Sequence, residues 1–246
     1  MMLNREEEWL LKEKYGGEKS EAFFSACQNL ASGVPLAYLI GYIPFLNTKI
    51  YLDSKPLIPR PETEFWVEKV LTIIKQKDQR TKVLDLCAGS GCIGVTIGKN
   101  CPHTEIDFIE LENQHLSTIE TNCLENKISK DRYQIFSGNL FEAVKNKTYD
   151  FILSNPPYLD QSLNRVETTV KEHEPALALY GGKNGMKLLE KIILDAPTYL
   201  NKNGQLWLEH EPEQVEAIYN LAVNKFTIHT HEDQYKIPRF SQLVLK

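Results

Sequence analysis

Hydrophobic positions change period along the chain, and the changes divide it. Up to about residue 30 they fall at helical spacing: Trp9, Leu10 and Leu11 within the charged stretch Glu6–Lys14, then Phe23, Phe24, Cys27 and Leu30 within Glu21–Leu30. Gly16-Gly17 separates the two stretches, so two short helices are predicted. Two extended runs follow, Tyr42–Leu46 and Lys49–Leu52, flanking Asn47-Thr48, and read as a β-hairpin. Pro61 suits the first turn of a helix running to about Lys77, with Trp66, Val67, Val70, Leu71 and Ile74 on one face. From Thr81 the pattern alternates. Strands are expected at 82–86, 105–110, 133–137, 149–154 and 205–209, and helices at 92–100, 113–126, 185–200 and 213–224. Two closing strands are expected near 226–231 and 241–245. Such alternation predicts an α/β fold, a mostly parallel sheet with helices on both faces. The expected organisation is a short helical region at 1–32, a linking hairpin at 33–60 and the main domain at 61–246. Between Asn155 and Gly185 the chain makes an unusually long connection, and such loops in compact domains tend to be functional.

Composition narrows the picture. The chain has 246 residues, 42% of them hydrophobic and 25% charged, with a net charge of −5. That balance belongs to an ordinary globular protein and argues against a broad basic surface for nucleic acid. Five cysteines, an odd number with no C-x-x-C pair, suit neither a disulfide framework nor a zinc site and fit a reducing cytoplasm. The charged N-terminus is no secretion signal, and no apolar stretch approaches the ~18 residues that span a membrane. His229 and His231 alternate on a strand with no third ligand in view, so no metal site is expected. His173, and Glu209-His210-Glu211 at the end of the fifth strand, read as solvated or structural groups.

The candidate chemistry centres on Asn155-Pro156-Pro157-Tyr158, which follows the apolar run Tyr149–Ser154. Two prolines cannot continue a strand interior, so the strand stops and a rigid segment begins at its carboxyl end, where α/β sheets bind ligands. Asn155 offers a side-chain acceptor and Pro156 a backbone carbonyl. Held side by side, they can grip both hydrogens of an –NH2 group, orient its lone pair and stabilise charge growing on nitrogen. Tyr158 can lie against a planar amide or base. The tetrapeptide is therefore a candidate catalytic and substrate-binding segment.

Upstream, Val83–Gly94 reads as strand, glycine loop and helix start. Gly89-x-Gly91-x-x-Gly94 matches a nucleotide-binding pattern, and Glu110, 19 residues beyond Gly91 at the end of the second strand, is placed to bind two ribose hydroxyls. This spacing leaves NAD and S-adenosylmethionine both open. Asp85 favours the second: it suits the methionine ammonium and would repel a pyrophosphate. An –NH2 clamp likewise has a partner in a sulfonium methyl donor and none in a hydride donor. Gly138-Asn139-Leu140, ending the third strand, lies where an adenine would be met.

With these motifs the chain, from about Gly33 to Lys246, resembles the release-factor glutamine N5-methyltransferase family. The resemblance rests on Ile58-Pro59-Arg60-Pro61-Glu62-Thr63-Glu64, on Asp85–Gly91, on Asn155–Tyr158, and on Glu174-Pro175-Ala176-Leu177 followed by Gly185. It implies a Rossmann-like, seven-stranded class I methyltransferase sheet behind a helical N-terminal region. It implies S-adenosylmethionine held by Asp85, Cys87, Ala88, Gly89, Ser90, Gly91, Glu110, Asn139, Leu140 and Asn155. The substrate, a release-factor glutamine in a Gly-Gly-Gln loop, would meet Asn155, Pro156, Pro157 and Tyr158, with Arg60 and Glu62 near the mouth. An acidic residue is usual in the family where this chain has Asn139, and the N-terminal region is short for it. The stretch Cys87–Cys92 also looks like a sister family that methylates a ribosomal-protein glutamine. That substrate, a DNA or RNA adenine, and a catalytically idle binding module are the alternatives; no direct nucleic-acid role and no membrane partner are expected.

Overall fold

The computed structural model describes residues 3–246. Two capped helices open the chain, α1 (Arg5–Tyr15) and α2 (Glu21–Ala31). The Asn4 and Ser20 side chains accept the free backbone N–H groups of their first turns, and Gly16 ends α1 in the left-handed region at φ 59°. A third helix, α3 (Leu36–Ile40), was not predicted; five residues between Pro35 and Gly41 are too few to show a period. Leu36, Leu39 and Ile40 of α3 pack on Leu10, Phe23 and Ala26, so the small N-terminal core reaches past residue 32 into the stretch read as linker.

The hairpin is β1 (Tyr42–Phe45) and β2 (Thr48–Tyr51). The main body then runs α4 (Pro61–Lys75), β3 (Thr81–Leu86), α5 (Cys92–Asn100), β4 (Thr104–Glu110), α6 (Leu116–Glu125), β5 (Tyr133–Ser137) and β6 (Tyr149–Ser154). It continues with α7 (Thr168–His173), α8 (Ala176–Leu179), α9 (Met186–Tyr199), β7 (Leu200–Glu209), α10 (Val215–Ala222), β8 (Phe226–Glu232) and β9 (Pro238–Leu245). The strand expected at 205–209 thus begins at Leu200, and the long connection after Asn155 carries the two short helices α7 and α8.

The main sheet has seven strands in the order β5-β4-β3-β6-β7-β9-β8. Pairing is parallel from β5 to β7, and β9 runs antiparallel to both its neighbours. Alternate residues feed two cores. Val83, Phe151 and Leu153 face one side with α4 and α5; Leu84, Leu86 and Ile152 face the other with α9 and α10. Gly94 and Gly98 let α5 lie close on β4, since a Cβ at Gly94 would stand 2.3 Å from Phe108. That is the role of the third glycine in the pattern read from the sequence.

The hairpin is fastened to this body rather than tethered loosely to it. The side-chain amides of Asn122, in α6, and Asn126, just after it, pair with the outer edge of β2. Asn122 accepts from the Tyr51 N–H at 2.7 Å and donates to its carbonyl at 3.0 Å; Asn126 does the same for Lys49 at 3.2 and 2.8 Å. Among the described residues no helix is long and apolar enough to cross a membrane, and no three His, Cys, Asp or Glu side chains gather as a metal site. His231 packs against both Trp207 and Phe240, with ring centroids 5.9 and 5.1 Å away.

Candidate active site

The order of strands reverses between β3 and β6, so the loops leaving these two strands lie side by side at the carboxyl edge of the sheet. Leu86 is paired with Ser154, and the Ser154 hydroxyl donates to the Leu86 carbonyl at 2.6 Å, which fixes the start of one loop against the other. In the first loop Cys87 (φ 61°), Gly89 (φ 56°) and Gly91 (φ 76°) turn through the left-handed region. The Gly89 N–H and the Glu112 N–H each donate to the Glu110 carboxylate at 2.8 Å, leaving half its lone pairs for a ligand. A Cβ on Gly89 would meet nothing within 4 Å, so the loop is open on that side.

It opens onto a cleft of about 940 Å³, a volume that includes open solvent at its mouth. The walls are Cys87–Ser90, Cys92 and Ile93 from the glycine loop, Ile109–Glu112 and His115 from the end of β4, and Gly138–Leu140 from the end of β5. Asn155 and Pro157 close it from β6, with Leu57, Pro59 and Thr63 before and within α4, and Leu177, Ala178 and Leu188 from the long connection and α9.

Asp85 lies beneath the loop, fully buried. Its Oδ2 accepts from the Gly94 N–H at 2.8 Å, and its Oδ1 has no partner among the described residues. Burial pushes this carboxyl up to about 8; the Gly94 bond opposes the rise and the Glu110 charge adds to it. An unpaired buried carboxylate oxygen is costly, and a cationic donor would relieve it. The Cys87 thiol is likewise pushed up to about 12 by burial, with the Glu110 charge adding, and Cys92 is raised further by the same cause. Both stay neutral, as wall rather than nucleophile.

The second loop is held from behind. The Asn155 Nδ2 donates to Thr63 Oγ1 at 3.0 Å, and that hydroxyl donates to Glu209 Oε2 at 2.6 Å. Trp66 Nε1 donates to the same oxygen at 2.8 Å, and the Tyr158 hydroxyl to Oε1 at 2.9 Å. Burial raises the Glu209 pKa against the pull of these three bonds; burial first and the Glu209 charge second hold the Tyr158 hydroxyl well above its usual range. Asn155 Oδ1 and the Pro156 carbonyl receive no donor from the described residues. Gln214 Nε2 donates to the Tyr158 carbonyl at 2.8 Å, and Gly185 fits against that carbonyl so closely that a Cβ would stand 1.8 Å from it.

Of the residues singled out in the sequence, Cys87, Ala88, Gly89, Ser90, Glu110, Asn139, Leu140, Asn155 and Pro157 line this one cavity. Asp85 and Gly91 lie outside its wall, Gly91 as the N-cap of α5. Pro156 is buried and is not among the lining residues, and Tyr158 reaches toward Glu209. Arg60 and Glu62 do not line it. Arg60 pairs with Glu174 at 2.5 Å, whose other oxygen accepts from the Ile58 N–H at 2.9 Å; Glu62 is half-buried at the start of α4. This clasp joins two of the motifs quoted above and brings α8 to the cavity mouth. Sequence reasoning quoted Thr63 and Leu177 within motifs but gave them no role of their own, passed over His115 and Ala178, and took Glu209 as structural. Thr63 sits inside the Pro-Glu-Thr-Glu stretch, which was its only signal.

Residues 68–179 match the family described as Methyltransferase small domain. A release factor glutamine methyltransferase of Thermodesulfovibrio yellowstonii is 35% identical over 84% of this chain and 74% of its own length. A ribosomal protein uL3 glutamine methyltransferase of Bordetella pertussis is 33% identical over 82% of this chain and 68% of its own. The crystal structure of a methyltransferase from Pyrococcus furiosus superposes with a TM-score of 0.60, at 16% identity, over 82% of this chain and 90% of that one, a likeness of fold.

Proposed function

Since the chain belongs to the release factor glutamine methyltransferase family, we propose that it moves a methyl group from S-adenosylmethionine to the side-chain nitrogen of the glutamine in a release factor's Gly-Gly-Gln loop. The observation that carries this reading is the Asn155 amide. With Nδ2 tied back to Thr63, its Oδ1 is left as a bare acceptor beside the free Pro156 carbonyl, on the same sheet edge as the glycine loop.

S-Adenosylmethionine supplies an electrophilic methyl on a sulfonium sulfur. The chain's own residues fit its parts. The orphan Oδ1 of Asp85 suits the methionine ammonium, the remaining lone pairs of Glu110 suit the ribose hydroxyls, and Ile109, Leu111 and Leu140 offer apolar walls to the adenine. Asn155 and Pro156 accept the two N–H bonds of the substrate amide, whose lone pair is otherwise delocalised, and so aim it at the methyl group. Both acceptors also stabilise the positive charge that develops on nitrogen. The nitrogen sheds its extra proton after transfer, so no side chain need act as base; the raised Tyr158 hydroxyl stays protonated and keeps its bond to Glu209.

Two measurements test the reading. Labelled S-adenosylmethionine is offered with purified release factor, ribosomal protein uL3 and nucleic acid side by side, and a co-expressed release factor is analysed by mass spectrometry. The label should enter the Gly-Gly-Gln peptide, and Asn155→Ala should slow transfer on the order of a hundredfold with cofactor affinity little changed. An unmodified Gly-Gly-Gln peptide beside methylated uL3, the substrate in the Bordetella pertussis relative's name, would move the substrate assignment and leave the chemistry standing.

A further inference from the structure

A buried carboxylate stands behind the Asn155 amide. Glu209 ends β7, the neighbour of β6 in the sheet, and is 1% exposed. No ion pair among the described residues includes it; the guanidinium of Arg239 is engaged by Glu211 and Asp233. A carboxylate withdrawn from water without a cation is expensive, and an apolar side chain would fill the same space without that cost. What the carboxylate offers that no apolar group can is direction. All three of its hydrogen bonds are accepted, from Thr63, Trp66 and Tyr158.

A threonine hydroxyl has a single proton. The Thr63 proton is committed to Glu209 at 2.6 Å, so its oxygen has only lone pairs left for Asn155 at 3.0 Å. The amide must therefore turn its NH2 group toward Thr63 and its oxygen toward the cavity. The two ends of an amide have almost the same shape, so packing cannot choose between them and hydrogen bonding must. Turned the other way, Asn155 would set an NH2 donor against the NH2 group of the substrate.

We infer that Glu209, acting through Thr63, fixes which end of the Asn155 amide faces the substrate, and that β7 is thereby the positioning element of the transfer site. This rests on the reading of Asn155 as acceptor given above. Glu209 and Thr63 are positioning residues, and the effect of losing them should fall on kcat.

Thr63→Val keeps the shape and removes the hydroxyl, and Thr63→Ser keeps the hydroxyl. Glu209→Gln keeps an oxygen, which the Trp66 donor holds on the Thr63 side, but removes the charge. Each is compared with wild type for kcat, KM, cofactor affinity by calorimetry and Tm, using whichever acceptor takes label in the side-by-side assay. Thr63→Val should lower kcat ~tenfold or more with KM and cofactor affinity within about twofold, while Thr63→Ser and Glu209→Gln stay within about threefold. In the Asn155→Ala background Thr63→Val should add no further loss, because no amide remains to be oriented. Wild-type turnover in Thr63→Val, losses that multiply in the double variant, or a Glu209→Gln defect as large as that of Thr63→Val would each overturn the inference; the last would show that charge matters and direction does not. Failure of the release-factor reading looks different: label on another acceptor with these ratios intact. No label on any acceptor would sink both.

Discussion

Asp85 is the residue at which stability and ligand binding pull apart. Its folded pKa of about 8 lies far above the ordinary carboxyl value of ~3.9 that holds in the unfolded chain. Between these values the folded protein holds a proton that the unfolded chain has lost. The contribution of Asp85 to stability is therefore fully present at low pH and is lost as pH rises through about 8. Asn cannot titrate. In the ligand-free protein, the Tm of Asp85→Asn minus that of wild type should grow steadily from pH 5 to pH 8. Affinity for S-adenosylmethionine should move oppositely, rising over the same range in wild type as the charge that suits the ammonium forms, and staying low and flat in Asp85→Asn. Calorimetry and thermal melts across that range check both; a Tm difference that does not vary with pH would remove Asp85 from this role. The placement of Asp85 before the glycines was legible in the sequence because strand, acid and glycine are contiguous there. Its lone oxygen was not, because burial is set by α5 lying across it.

At the scale of elements, the chain from Asn155 to Gly185 is where the sequence was read as a bare loop and the structure shows more. Leu159 bridges to Tyr180, and Arg60 with Glu174 ties α7 and α8 to the segment before α4. Helices of six and four residues carry too little pattern to be seen, although their anchors, Glu174 and Gly185, stood out as motifs. Gly185 shows why such an anchor must be glycine. It sits at φ 67°, and its Cα faces the Tyr158 carbonyl, so Gly185→Ala must both strain its own backbone and push the tetrapeptide aside. The strain alone is worth ~1–2 kcal/mol. In a chain of this size that lowers Tm by roughly 2–8 °C. The displaced tetrapeptide should lower kcat as well, with cofactor affinity held. A variant that melts early yet turns over normally would mean the tetrapeptide tolerates the shift. The hydrogen-bond junction at Glu209 could not be read from the sequence for a related reason. Its partners come from α4 and from the loop after β6, 143 to 146 and 51 residues away, and nothing local in the sequence reports that convergence.

Over the whole molecule, strand and helix alternation was enough to read the parallel sheet, because its central strands β3 and β6 are mostly apolar and buried on both faces. The hairpin was visible too, but its attachment was not, since it depends on two asparagine side chains in and just after a distant helix. That attachment has a consequence for how the protein breathes. Asn122 donates not only to the Tyr51 carbonyl but also, at 2.8 Å, to the Ser90 carbonyl in the glycine loop. The outer edge of the hairpin and the cofactor loop therefore share one amide, and a fluctuation that peels β2 away also releases the loop. A ligand that holds the loop raises the free energy of that opening. Adding S-adenosylmethionine should then slow hydrogen–deuterium exchange at the Tyr51 backbone amide, which is not among the residues lining the cavity, while the amides of α1 exchange as before. Equal protection of Tyr51 with and without ligand would show that the hairpin opens on its own. If the amide is slowed, a protease or a binding partner that grips this edge will sense whether the cofactor loop is held.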